Sequence, residues 1–164
     1  MRSSLSDGRL TIRAYQLRDA PALYDAVRES LPELMPWMLW AHEGYSLHDA
    51  EEYLGNVQKA WDRRTEYGFA ILDEPSGAYL GGIDLHNVHR PNRMAEIGYW
   101  VRSSRTGLGV APAAARLAAR LGFEDLELER IEIMMAVEND ASRRVAEKVG
   151  ATLEGTLRRR LRLH

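Results

Sequence analysis

Apolar and polar positions alternate with two different periods along this chain, and the changes of period divide it into elements. Residues 9–15 (RLTIRAY) alternate strictly, which predicts a first strand with Leu10, Ile12 and Ala14 turned inward. A helix follows. Asp19 stands where a cap belongs, Pro21 suits a first turn, and Leu23, Val27 and Leu31 recur at helical spacing up to Pro32, which is expected to end the helix. Residues 31–44 carry two prolines, two tryptophans and two methionines without a clean period, and read as an irregular apolar connection. Ser46 with Asp49 has the capping-box pattern, and Leu47, Ala50, Leu54, Val57 and Trp61 then mark one face of a second helix.

From there the period is two. Residues 69–72 form a short buried strand, 74–77 a turn, 79–85 the partner strand of a hairpin and 86–93 a longer loop. In residues 94–101 (MAEIGYWV), Ala95, Ile97, Tyr99 and Val101 share one side of a strand and Glu96, Gly98 and Trp100 the other. A glycine-bearing turn then runs into a helix with Val110, Ala114, Leu117, Ala118 and Leu121 on one face and Arg116 and Arg120 away from it. Residues 131–137 predict another strand, Asn139 caps a short helix ending near Gly150, and 151–157 are expected to form the last strand. Strands in runs, mixed with about four helices, predict an α+β fold with a sheet antiparallel in its first half, rather than a doubly wound nucleotide fold.

The 164 residues suit one domain, 1–164. With 22 Lys and Arg against 24 Asp and Glu the net charge is -2, so no global positive field draws the chain to nucleic acid or to an acidic membrane; neither is expected as a partner. The absence of cysteine excludes disulfides, thiolate metal sites and a cysteine nucleophile. The five histidines occur singly, and no metal is expected. The polar first ten residues and the lack of a long apolar run make a cytoplasmic location the expectation.

The segment around Gly107 and Gly109 lies between a strand and a helix start, where glycine lets the backbone approach a ligand and free amide N–H groups face phosphate. A mere tight turn accounts for the two glycines equally well. No GxxxxGK[ST] motif is present, and a GxGxxG pattern fails at Pro112, which disfavours ATP and NAD.

Three segments in order, AEIGYWV (95–101), TGLGVA (106–111) and ENDASRRVAEKVGATLEG (138–155), together with upstream LMPWM (34–38) and GYSLHDAEEYL (44–54), resemble the GNAT superfamily of acetyltransferases, of the RimJ/RimL type that acetylates ribosomal-protein N-termini. The resemblance implies a GNAT-like fold in which two parallel strands splay apart to admit the pantetheine arm of acetyl-CoA, the acyl donor. It implies a cofactor site of Arg105, Thr106, Gly107, Leu108, Gly109, Val110, Ala111 and Asn139. Glu96 would serve as general base and Ser142 as proton donor to the departing thiolate, while Trp37, Met38 and Trp40 would flank the acceptor.

By spacing alone Asn139 is a helix cap, Ser142 a solvated first-turn serine and Glu96 an exposed strand carboxylate. The reaction implied is acetyl transfer to a primary amine, foremost the N-terminal α-amino group of a ribosomal or other protein. A small-molecule amine and a non-catalytic acyl-CoA-binding module stand as alternatives. Thr106 departs from the Arg or Gln usual in the family loop, and the family continues into one more strand after the position of His164. The run Arg158, Arg159, Arg160 and Arg162 is read as a solvated edge. A monomer and a homodimer are both compatible with this reading.

Overall fold

The computed structural model describes residues 1–160, 162 and 163. Six strands form one sheet in chain order: β1 (Ser4–Ser6), β2 (Leu10–Ala14), β3 (Tyr67–Asp73), β4 (Tyr79–His89), β5 (Met94–Val101) and β6 (Arg130–Glu132). Neighbours pair antiparallel except β5 and β6, which are parallel. The helices are α1 (Ala20–Leu34), α2 (Leu47–Arg63), α3 (Val110–Asp125) and α4 (Asp140–Val149).

Alternation along the central strands makes two cores. On one face Phe69, Ile83, Leu85, Ala95 and Ile97 meet Val110, Ala114, Ala118 and Leu121 of α3. On the other, Ala70 and Tyr79 meet Leu23, Val27 and Leu31 of α1 and Ala50 and Leu54 of α2. At about 25 cal/mol per Å² of apolar surface removed from water, these contacts are the main force holding helices to sheet. The α2 capping box forms as the sequence predicts: the Asp49 amide donates to Ser46 Oγ at 3.3 Å, and the Ser46 amide to Asp49 Oδ2 at 2.7 Å.

Several expectations are corrected. Pro32 lies inside α1, which runs on to Leu34. Asp19 makes no side-chain cap; its carboxylate receives Arg13 at 2.8 Å and the Gln16 amide at 2.8 Å instead. Leu47 is exposed rather than on the buried face of α2. Residues 86–89 belong to β4, because pairing with β5 continues through a bulge to His89 and Met94. The strand expected over 131–137 is only Arg130–Glu132, since β6 leaves β5 after Glu96. Residues 151–157 form no strand and are exposed. Arg158, Arg159 and Arg160 are also exposed, whereas Leu161 and His164 lie outside the described residues. Strand β1 has no alternating signal in the sequence: it is polar, and its antiparallel pairing of Ser4, Leu5 and Ser6 with Arg13, Ile12 and Thr11 defines it.

Candidate active site

The pairing of β5 with β6 covers Met94, Ala95 and Glu96 and stops there, whereas β5 stays paired with β4 as far as Val101. From Ile97 onward the β5 edge facing β6 has no strand beside it among the described residues, so the two parallel strands part with Glu96 at the apex.

The opening leads to the turn before α3. Gly107 and Gly109 have φ of +74° and +76°, in the left-handed region where glycine carries no Cβ penalty. The amides of Gly107, Leu108, Gly109, Val110 and Ala111 have no acceptor among the described residues, and Pro112 has no N–H. Five consecutive donors at the start of a 16-residue helix suit a pyrophosphate. The turn is anchored from behind. Glu29 of α1 receives Arg102 Nε at 2.5 Å and the Ser104 amide at 3.0 Å, Ser30 Oγ receives the Ser103 amide at 2.9 Å, and Arg9 donates to the Leu108 carbonyl. Hydrogen bonds from Ser104, then Arg102, hold the Glu29 carboxyl down at about 2. Thr106 turns its hydroxyl back to the Ser103 carbonyl at 2.9 Å, while Arg105 faces Asp73.

Asn139 is the N-cap of α4, its Oδ1 accepting the Ser142 amide at 3.0 Å. Its Nδ2 has no acceptor among the described residues. Ser142 Oγ lies 2.7 Å from the Tyr99 hydroxyl, which also reaches the Ser142 carbonyl at 3.2 Å. Burial raises the Tyr99 pKa, so this hydroxyl keeps its proton. Tyr99 thus ties β5 to α4 across the opening.

Glu96 projects from the opposite face of β5. Its Oε1 accepts from Asn87 Nδ2 at 3.0 Å, and its Oε2 lies 3.5 Å from His86 Nε2. His86 Nδ1 is in turn 2.5 Å from Asp84 Oδ1. An open depression of about 740 Å³ lies alongside, lined by Thr65, Glu66, His86, Asn87, Val88 and His89. Farther along the same face, Trp100 meets Trp40 edge-on at 6.1 Å, and Trp40 also contacts Tyr45. Met38 packs against the α1–α2 core, and Trp37 is half-buried, with no aromatic ring contact among the described residues. The structure therefore brings Trp40, Trp100 and Glu96 onto one face, and Ser142 and Asn139 onto the other side of β5.

The sequence reading missed Arg9, Glu29, Asp84, His86, Asn87 and Tyr99. Alternation places Tyr99 on the side of Ala95 and Ile97 without marking it as functional, and residues 86–93 read as a loop. The polar interruption of β4 at Asp84, opposite Gly98, was the one available signal.

Residues 9–152 match the acetyltransferase (GNAT) domain family. The chain belongs to that family. It is 34% identical over 155 residues to YdaF of Bacillus subtilis (strain 168), covering 91% of this chain and 81% of that protein. It is 34% identical over 150 residues to the ribosomal-protein-serine acetyltransferase of Escherichia coli (strain K12), covering 91% and 82%. The structure of RimJ from Mycobacterium smegmatis, in complex with a CoA-disulfide, superposes with a TM-score of 0.85 at 30% identity over 94% of this chain and 75% of that one. The protein is an acetyl-CoA-dependent N-acetyltransferase of RimJ/RimL-like type. Among the described residues, no group of three or more His, Cys, Asp or Glu side chains is arranged to hold a metal ion.

Proposed function

We propose that the protein acetylates the N-terminal α-amino group of a protein or peptide, with Glu96 as general base and Ser142 as proton donor to the departing thiolate. The observation that carries this reading is the place of Glu96 at the point where β5 and β6 part, with Ser142 across the strand from it.

Acetyl-CoA supplies an activated acyl carbonyl. The five free amides of residues 107–111 would hold its pyrophosphate, Asn139 Nδ2 would bond the pantetheine amides, and an unpaired β5 amide past Glu96 would donate to the carbonyl oxygen. An amine attacks only when neutral, and Glu96 takes the proton it sheds, directly or through water. With the Tyr99 proton on Ser142 Oγ rather than on the Ser142 carbonyl, the serine's own proton would be free to point toward the sulfur. No enzyme nucleophile is needed, in keeping with a chain that has no cysteine.

The acceptor assignment is supported by the name of the Escherichia coli relative and by acidity. An α-amino group has a reference pKa of about 7.7–8.0, within reach of a carboxylate base at neutral pH, whereas a lysine amine at about 10.4 demands more. The open depression beside Glu96 would admit the end of a polypeptide, and Trp40 against Trp100 lies farther along the same face of the sheet.

Thiol release should be measured with a panel of peptides differing in their first residues, beside polyamines and free amino acids. Peptides are expected to give the highest kcat/KM, and Glu96→Gln to lower kcat by about 10²–10⁴. Preference for a polyamine would overturn the acceptor, and full activity in Glu96→Gln would overturn the base.

A further inference from the structure

We propose that His86, clamped by Asp84, is a positioning residue that holds the Glu96 carboxylate in a fixed orientation at the mouth of the cleft. The inference rests on Glu96 being the base. Its geometry lies in the β4–β5 register, where His86 stands opposite Glu96 and Asp84 opposite Gly98. Asp84 Oδ1 is 2.5 Å from His86 Nδ1, and Glu96 Oε2 is 3.5 Å from His86 Nε2. With Asn87 Nδ2 at 3.0 Å from Oε1, each oxygen of Glu96 faces a nitrogen donor from β4. An ionised carboxylate only accepts, and two donors on one neighbouring strand restrict its rotation while leaving a lone pair on each oxygen for a substrate proton.

The imidazole is placed for this task. A ring with a carboxylate at each nitrogen favours the form protonated at both, which donates in both directions. The groups facing it are Asp84 on its own strand, Glu96 on β5 and Glu66 just ahead of β3. The Asp84 hydrogen bond, followed by the charges of Asp84, Glu96 and Glu66, raises its pKa from 6.5 against the opposing effect of burial. Gly98 makes the space. A Cβ there would lie 3.0 Å from Asp84 Oδ1 and 3.2 Å from His86 Cε1, crowding the pair. A strand centre that only needed stability would place apolar side chains in these positions. Here a half-buried charged relay instead borders an open depression.

The sign of the pH dependence follows. Below its raised pKa, His86 carries a proton on Nε2 and faces Glu96 as its positive ion-pair partner at 3.5 Å. As pH rises through that value the proton leaves, an imidazole lone pair meets the carboxylate, and the hold is released. Wild-type kcat should therefore decline on the alkaline side at the His86 pKa.

The test follows the His86 Cε1–H signal of the full chain by NMR titration, assigned with His86→Gln, in wild type, Asp84→Asn and Glu96→Gln. Steady-state kinetics across the same pH range accompany it. The expected result is a His86 pKa above 6.5 that falls in both carboxylate variants. His86→Ala should lower kcat on the order of tenfold with the KM for acetyl-CoA unchanged, a part of the 10²–10⁴ that a general base is worth. His86→Gln, which keeps an N–H donor without the charge, should recover part of the rate and lose the alkaline decline. If His86→Ala does not fold, the Gln variant alone decides. Wild-type kcat and pH profile in His86→Gln, or a His86 titration indifferent to Glu96→Gln, would overturn the positioning role while leaving Glu96 as base intact. Full turnover in Glu96→Gln would remove both.

Discussion

Ser142 and Tyr99 share one short hydrogen bond of 2.7 Å, and the direction of that bond matters for catalysis. If Tyr99 donates to Ser142, the serine proton is free for the leaving thiolate; if the serine donates to Tyr99, it is spent. The Ser142 carbonyl, 3.2 Å from the same hydroxyl, competes for the one phenolic proton: when Tyr99 gives it to the carbonyl, the serine donates to Tyr99. Ser142→Ala is accordingly expected to lower kcat by roughly tenfold or more while acetyl-CoA KM stays near wild type, because a proton to the leaving group is needed only in the transition state. A raised KM with kcat unchanged would make Ser142 a binding residue. At this scale Asn139 was legible as a cap from its spacing, and the cap is present. His86 was not legible, since a histidine three residues before another in a polar stretch looks the same in a loop as in a strand.

At the scale of elements, the turn before α3 depends on α1. Glu29, Ser30 and Glu33 of α1 hold Arg102, Ser103 and Ser104, so the amides that follow are presented by a braced backbone. The Glu29 carboxyl, lowered to about 2 from 4.5, is a depressed acid. Its contribution to stability is present above pH 4.5 and is lost as pH falls through 4.5 toward 2. Glu29→Gln should therefore lower the Tm near neutral pH and lose that difference by about pH 2; equal Tm values at pH 7 would show that the brace contributes nothing. The periods of α2, α3 and β5 were readable because each buries one continuous stripe. Pro32 removes one helical N–H and crowds the carbonyl four residues before it, which is why the sequence predicts an end there, yet α1 continues to Leu34, buried in the α1–α2 core.

For the molecule as a whole, the parting of β5 from β6 between two cores creates the site, and ligand binding should be visible in global stability. Acetyl-CoA at about 100 times its dissociation constant adds roughly 2.7 kcal/mol, which for a domain of this size raises Tm by roughly 5–10 °C. CoA should act similarly, and ATP and NAD should not. Gly109→Ala, which forces a Cβ onto a φ of +76°, should weaken this shift more than it changes the Tm of the free protein. A full acetyl-CoA shift in that variant would place the pyrophosphate elsewhere.

The sequence by itself determined the elements with strong periodicity, the α+β order, the glycine turn ahead of a helix, the Asn139 cap and the family motifs. Each of these is local: a stripe, a cap or a turn requires only residues near one another in the chain. Tertiary structure alone decided where β5 and β6 stop pairing, that Glu96 and Ser142 lie on opposite sides of one strand, and that Asp84, His86, Asn87 and Glu96 meet across two strands. Those features depend on strand register, which the long-range packing of α3 on one face and of α1 and α2 on the other imposes and no local pattern encodes.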